Sequence, residues 1–248
     1  MARFHDQVQP VFQTASVRAI WVLFLAVAAL TGCKLSGSNY YPLEAPRWWH
    51  YAVSDTVLDE NHQNRYLMQN AGLAPGMDNT VYLQAAQTGS ADYLRYHGAG
   101  VERIASLRPG MHGPQPDAQP RVVLPATLTP GTTWQVRSTI SLAESRTFEP
   151  RDRIIPHRLT VDLEKKVVTD DAEVVVAAGS FSHCLLVEGQ GLATVPTDRG
   201  NSTASVAVEV HEWYAPGVGL VKLERRESAD SSFLKGGQQR WELLDYGG

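Results

Sequence analysis

The dipeptide His211-Glu212 has the residue types that begin a zinc-protease motif. That motif places a second histidine four positions after the first, so that both imidazoles bind the metal from one helix face. Here position 215 is Ala, and the alternation of apolar and polar residues around the dipeptide predicts a strand instead of a helix. The sequence therefore predicts no metal site at His211.

A second set of reactive groups combines the hydroxyls of Ser180 and Ser182 with the imidazole of His183. Nucleophilic hydrolysis uses such a pair, but no GxSxG turn surrounds either serine and no acid partner for the histidine can be assigned. Cys184 follows His183, and neighbours in a strand point to opposite faces, so the two do not form a joint ligand pair. We predict a buried, structural Cys184 and no catalytic residues.

The elements that would position these groups have a period of two. Leu159, Val161 and Leu163 share one face of a segment whose other face is polar, and Val206, Val208 and Val210 repeat the pattern. Such alternation is typical of half-buried antiparallel strands.

Turn residues separate these strands at short intervals. They include several Pro-Gly pairs, Asp170-Asp171 and Gly189–Gly191. About ten to thirteen strands fit between them, which predicts an all-β fold. We expect an antiparallel sheet that forms a sandwich or a partly open barrel, and this sheet could consist of two related half-sheets. The proline-rich segment 109–120 is predicted to be an exposed loop or a boundary between halves.

The amino-terminal region contains an apolar run from Ala19 to Leu30, with Arg3 and Arg18 before it. A run of about 12 residues matches the core of a signal peptide and is shorter than the roughly 20 residues needed to span a bilayer. We therefore predict that this run belongs to a secretory signal.

The residues that follow, Leu30-Thr-Gly-Cys33, resemble the lipobox of bacterial lipoproteins. The resemblance implies that residues 1–32 are removed, that Cys33 is acylated, and that residues 33–40 tether a domain spanning 41–248. Two or three acyl chains hold a protein durably at a membrane. Lys34 stands where aspartate would direct retention in the inner membrane, which implies a periplasm-facing position at the outer membrane. A plain signal peptide with a chance cysteine, or an uncleaved anchor, is the alternative.

Four further segments resemble a loose group of periplasmic or lipoprotein domains of unknown function. They are Tyr41–Tyr51, Leu124–Trp134, Val174–Val187 and Trp213–Lys222, the last reading WYAPGVGLVK. The shared residues are glycines, prolines and tryptophans of turns and core. The resemblance therefore implies a β-rich fold and assigns no chemistry.

Aromatic residues cluster soon after Cys33, among them Trp48, Trp49 and Tyr51. Trp and Tyr favour the headgroup region of membranes, so these residues are candidates for membrane contact. They could equally fill the core of the first hairpin, or form a platform for a glycan or peptide.

The composition supports an ordinary folded protein, with 43% hydrophobic residues and a net charge of −4. It argues against nucleic-acid binding, which needs a basic stripe. An acylated Cys33 would leave Cys184 without a disulfide partner, and no cofactor is predicted.

The preferred function is a non-catalytic binding or scaffolding role in the cell envelope. The alternatives are a carrier of an apolar or acyl ligand and, less favoured, an envelope hydrolase.

Overall fold

Long antiparallel strands dominate a computed structural model that describes residues 37–44, 46–58, 60–147, 153–196, 203–232 and 234–248. A helical turn, α1 (Gly37–Tyr40), precedes the strands. They are β1 (Arg47–Val57), β2 (Glu60–Leu73), β3 (Val81–Ala86), β4 (Ala91–His97), β5 (Gly100–Leu107), β6 (Gln115–Leu124), β7 (Thr133–Thr139), β8 (Glu144–Thr147), β9 (Arg153–Pro156), β10 (Thr160–Val176), β11 (Gly179–Pro196), β12 (Thr203–Ala215), β13 (Gly219–Ala229), β14 (Leu234–Lys235) and β15 (Gly237–Gly247). All of these elements belong to one compact unit, Leu35–Gly248.

Twelve of the described strands form one sheet in the order β6-β5-β4-β3-β2-β1-β15-β13-β12-β11-β10-β7. The sheet curls until its two edge strands approach each other. There Arg121 Nη1 of β6 donates a hydrogen bond to the Arg137 carbonyl oxygen of β7, at 3.1 Å. We call this gap between β6 and β7 the seam. The predicted all-β antiparallel fold is confirmed, in its form of a partly open barrel.

The chain order divides the sheet into two half-sheets. Strands β1 to β6 lie in sequence order in one half, and β7, β10 to β13 and β15 form the other. The halves join where β1 pairs with β15, with Val53 opposite Trp241.

A barrel of this strand number is wider than its own side chains can fill, because about eight strands already enclose a fully packed interior. The segment 37–44 occupies part of that interior. Tyr40 packs against Val167 and Tyr214 in one half-sheet, and Leu43 packs against Leu94 in the other. We call this end of the barrel, where β1 begins and the β10–β11 and β12–β13 turns lie, the α1 end.

The tip of the long β10–β11 hairpin also packs at the α1 end. Val174 and Val176 share a buried cluster with Trp49 and Leu243. The Ala178 backbone N–H donates to the Leu243 carbonyl oxygen at 3.0 Å. The hairpin tip thus bridges to β15 and β1.

The opposite end is covered by the small sheet β14-β8-β9. The loop that leads into it is held by Glu227, whose side chain is fully buried. The Glu227 carboxylate accepts hydrogen bonds from the backbone N–H groups of Ser141, Leu142 and Ala143 at 2.9–3.1 Å and pairs with Arg225 at 2.8 Å. One buried carboxylate therefore holds this loop in place.

Two predicted turns prove to be strand interiors. Asp170-Asp171 lies within β10, where the pairing with β11 shifts register between Thr169 and Ala172. Such a β-bulge inserts extra residues without ending the strand. Gly191 lies within β11, where an added Cβ would stand 2.7 Å from the Asp162 carbonyl oxygen. Glycine is needed there for close contact between strands, and not for a reversal of the chain.

The segment 109–120 also differs from its prediction as an exposed loop or boundary. Strand β6 begins at Gln115 and includes Pro116 and Pro120. Proline lacks a backbone N–H and is tolerated in an edge strand, where that position needs no partner. The loop between β5 and β6 is therefore shorter than predicted and ends before Gln115.

Candidate functional site

A cavity of about 330 Å³ lies on the inward face of the large sheet and extends to the seam. Its volume falls within the range typical of small-molecule pockets. The side chain of Arg121, which lines the cavity at the seam, is 36% exposed. The cavity therefore meets solvent at the seam.

Aromatic side chains of β1, β2 and β15 form one wall of the cavity. The ring of Trp241 lies 4.7 Å from that of Tyr66 and 5.6 Å from that of Tyr51, centroid to centroid. Tyr51 donates its hydroxyl to the Leu220 carbonyl oxygen at 2.9 Å, and Trp49 Nε1 donates to the Val218 carbonyl oxygen at 2.7 Å. These bonds fix two of the rings, so the wall is preorganised.

A chain of hydrogen bonds crosses the floor of the cavity. Tyr41 donates its hydroxyl to Gln84 Oε1 at 2.7 Å. Gln84 Nε2 donates to Asn70 Oδ1 at 3.1 Å, and Asn70 Nδ2 donates to the Pro42 carbonyl oxygen at 3.0 Å. Segment 37–44 is thereby tied to strands β2 and β3.

A buried ion pair completes the floor. Lys165 Nζ lies 2.6 Å from Glu212 Oε2, and the Tyr214 hydroxyl donates to the same oxygen at 2.9 Å. Strand β11 lies between the two charges, with Gly189 opposite Lys165. A Cβ at Gly189 would stand 3.3 Å from Lys165 Cγ, so the absent side chain leaves room for the lysine to cross β11 and reach β12.

Arginine and aspartate side chains alternate along the side of the cavity nearest the seam. Arg108 and Arg103 share Asp92, at 3.0 and 3.4 Å. Arg103 and Arg121 share Asp117, at 2.9 and 3.0 Å. Three guanidinium groups therefore share two carboxylates.

Burial raises the pKa of the tyrosines that surround the cavity. The pKa values of Tyr41, Tyr51 and Tyr214 all lie above their ordinary value, mainly because desolvation disfavours the phenolate. The three hydroxyls therefore remain neutral hydrogen-bond donors near pH 7, with their protons committed to protein acceptors.

The structure separates the predicted membrane-proximal or binding aromatics. Trp48 is 37% exposed at the α1 end, whereas Trp49 and Tyr51 are 3% and 0% exposed and line the cavity. The predicted lipidation site, Cys33, and the predicted signal peptide lie outside the described residues. The predicted tether ends before Gly37, because α1 is packed into the barrel.

The two histidines considered for chemistry lie on the surface. His211 Nε2 is 3.5 Å from Glu188 Oε1, and Glu212 points to the opposite face, as alternation requires. His183 Nδ1 lies 2.7 Å from Asp171 Oδ1, an acid partner that the sequence did not reveal because the register shift near Asp171 was not foreseen. Both side chains of that pair are about three-quarters exposed.

Cys184 is fully buried, and burial raises the pKa of its thiol to about 11. Within the described ranges, no three His, Cys, Asp or Glu side chains are grouped closely enough to hold a metal ion. No helix in those ranges has the length and apolar character that a membrane span needs.

The cavity itself was missed by sequence reasoning, although one signal was present. Lys165 continues the inward face of Leu159, Val161 and Leu163, and Glu212 continues that of the β12 valines. A charge on an otherwise apolar face indicates a buried polar network. Its partner could be identified only once the strand register was known.

No protein-family model and no curated protein sequence matches this chain. Two solved structures resemble it. One is described as a lipoprotein from Parabacteroides distasonis, at 14% identity and a TM-score of 0.38, covering 84% of this chain and 98% of that one. The other is described as an exported protein with a YmcC-like fold from Bacteroides fragilis, at 12% identity and a TM-score of 0.36, with the same coverage. No functional statement follows from likenesses of this size.

Proposed function

We propose that this protein is a lipoprotein of the outer membrane that faces the periplasm and has a non-catalytic binding role in the cell envelope. The lipobox-like Leu30–Cys33 follows a signal-like apolar run. Removal of residues 1–32 would leave the barrel intact, because its compact unit begins at Leu35.

The packing of segment 37–44 is the observation that best supports this proposal. Tyr40 and Leu43 are fully buried in the barrel. Cys33 precedes Gly37 by four residues, so even an extended chain would separate them by at most about 14 Å. An acylated Cys33 would therefore keep the α1 end close to the membrane, with the exposed Trp48 at that same end.

The anchor is tested on protein purified from its own host. We expect intact mass analysis to give a chain that starts at Cys33 and carries acyl groups, recovered in the membrane fraction. Cys33→Ser should release the protein into the aqueous fraction, whereas Cys184→Ser, the control at the other cysteine, should leave it anchored. An unmodified, freely soluble wild-type chain would contradict the proposal.

The binding role is favoured over catalysis by the way the cavity's polar groups are used. Lys165 pairs with Glu212, and Tyr41 bonds to Gln84, so these groups satisfy one another. A general acid or base would need a group left available to substrate.

A carrier function is the second candidate, favoured by the cavity and its aromatic wall. Native mass spectrometry of the body from Lys34 onward tests it, since a carrier should retain a small-molecule mass after gentle purification. Cross-linking in vivo tests the scaffolding alternative, which requires a reproducible envelope partner. A chain without either a ligand or a partner would contradict the binding role.

A further inference from the structure

We propose that the cavity binds an amphipathic organic anion, whose planar apolar body lies against the aromatic wall while its carboxylate or similar acid group meets Arg121 at the seam. This inference rests on the carrier function proposed above and names its ligand class. It does not depend on acylation of Cys33.

The first argument for this ligand class comes from the shape and lining of the cavity. One side presents the rings of Tyr51, Tyr66 and Trp241, which offer flat apolar surface. The side at the seam presents the guanidinium groups of Arg103 and Arg121, which share Asp117. A purely apolar chain would displace water from these charged groups without replacing its hydrogen bonds, whereas a ligand with one acidic end suits both sides.

The second argument comes from the balance of charge beside the cavity. Beside the cavity, the three guanidinium groups of Arg103, Arg108 and Arg121 share the two carboxylates of Asp92 and Asp117, so this cluster has one net positive charge.

Lys165 is committed to the Glu212 carboxylate, and Arg103 is held between two aspartates. Arg121 shares its one carboxylate partner, Asp117, with Arg103, and its other protein acceptor is the uncharged Arg137 carbonyl oxygen. The Arg121 guanidinium is therefore the least neutralised charge of the lining.

The local electrostatics agree with this reading. Burial, together with the nearby positive charge of Arg103, lowers the pKa of Arg121 from its ordinary value. The guanidinium stays protonated at any physiological pH. The contribution of Arg103 is a repulsion between like charges, and an anion placed beside Arg121 would offset it.

The test uses 2-naphthoate as the probe and neutral 2-naphthamide as its matched control, titrated by calorimetry into the body from Lys34 onward. The four buried clusters of the described residues lie between Tyr40 and Leu243, so this body contains all of them. We expect naphthoate to bind at least about 10-fold more tightly than naphthamide, because hydrogen bonds to charged groups are the stronger ones. Added salt should reduce that difference.

Two variants and one control complete the test. Arg121→Gln should remove most of the preference for naphthoate, whereas Arg121→Lys, which keeps the positive charge, should retain part of it. Arg240→Gln, on the outer face of β15, should leave the preference unchanged. Equal binding of the two probes, no binding of naphthoate at millimolar concentration, or an equal loss in Arg240→Gln would overturn the inference. None of these outcomes bears on the anchor, which the mass of native protein tests separately.

Discussion

Replacing Lys165 by methionine tests whether the floor of the cavity contains a true buried ion pair. Lys165 Nζ lies 2.6 Å from Glu212 Oε2, and both side chains are about nine-tenths buried. Removing one partner of such a pair costs about 3–5 kcal/mol, because it leaves a buried charge uncompensated.

The expected loss lies at the lower end of that range. The Tyr214 hydroxyl still donates to Glu212, and a hydrogen bond to a charged group contributes about 1.5–3 kcal/mol. Methionine also keeps the apolar stem of the lysine, so little packing is lost. We therefore expect Lys165→Met to lower the free energy of unfolding by about 3 kcal/mol.

A second variant separates charge from packing. Lys165→Met combined with Glu212→Gln removes the unpaired charge but keeps an oxygen that accepts from Tyr214. The double variant should recover much of the loss, with a non-additivity of about 1–3 kcal/mol. Lys166→Met is the matched control, since Lys166 is exposed on the opposite face of β10 and should change stability by less than about 0.5 kcal/mol.

Urea unfolding followed by circular dichroism measures these differences, provided that the slope with denaturant is the same in every variant. The reasoning would be refuted if the Lys165 and Lys166 variants lost equal stability. It would also fail if the double variant were no more stable than Lys165→Met alone.

Two other expectations follow from the fold. Glu227→Ala should lower the free energy of unfolding by about 3–5 kcal/mol in the same assay, because three backbone N–H groups and the Arg225 guanidinium lose the carboxylate that they bond to. Glu209→Ala, on the exposed face of β12, should be nearly neutral. Stability should fall above about pH 9. Burial raises the pKa values of Tyr51, Tyr214 and Cys184, so these groups ionise at lower pH in the unfolded chain than in the folded one. They add stability below their unfolded pKa values, and that contribution is lost as the pH rises toward their folded pKa values. Chemical unfolding measured from pH 7 to 10.5 checks this, and a flat profile would contradict it.

The strand pattern could be predicted from sequence because alternation depends on the nearest neighbours alone. Leu159, Val161 and Leu163 must share a face in any extended segment, and the structure places them on the inward one. Bulges and close strand contacts could not be predicted in the same way. Asp170 and Gly191 are residue types typical of turns, yet both lie within strands. A register shift accounts for Asp170 and a close backbone approach accounts for Gly191.

The candidate site was harder to predict, because it depends on residues that meet across the sheet. The contact between Lys165 and Glu212 crosses an intervening strand and requires Gly189 to leave room. The side chain of Arg121 reaches the Arg137 carbonyl oxygen only because the sheet curls until its edges face each other. No local sequence pattern encodes that curvature.

Segment 37–44 connects the proposed anchor with the proposed ligand site. It leads from Cys33 into the barrel, buries Tyr40 in the core and gives the cavity Tyr41, whose hydroxyl bonds to Gln84. Because this segment occupies part of the interior at the α1 end, we expect a ligand to reach the cavity through the seam along the side of the barrel. Under the proposed anchoring, the α1 end lies next to the membrane while the seam remains open to the aqueous periplasm. A ligand released from that opening would enter water and not the bilayer, which suits an amphipathic anion better than an acyl chain.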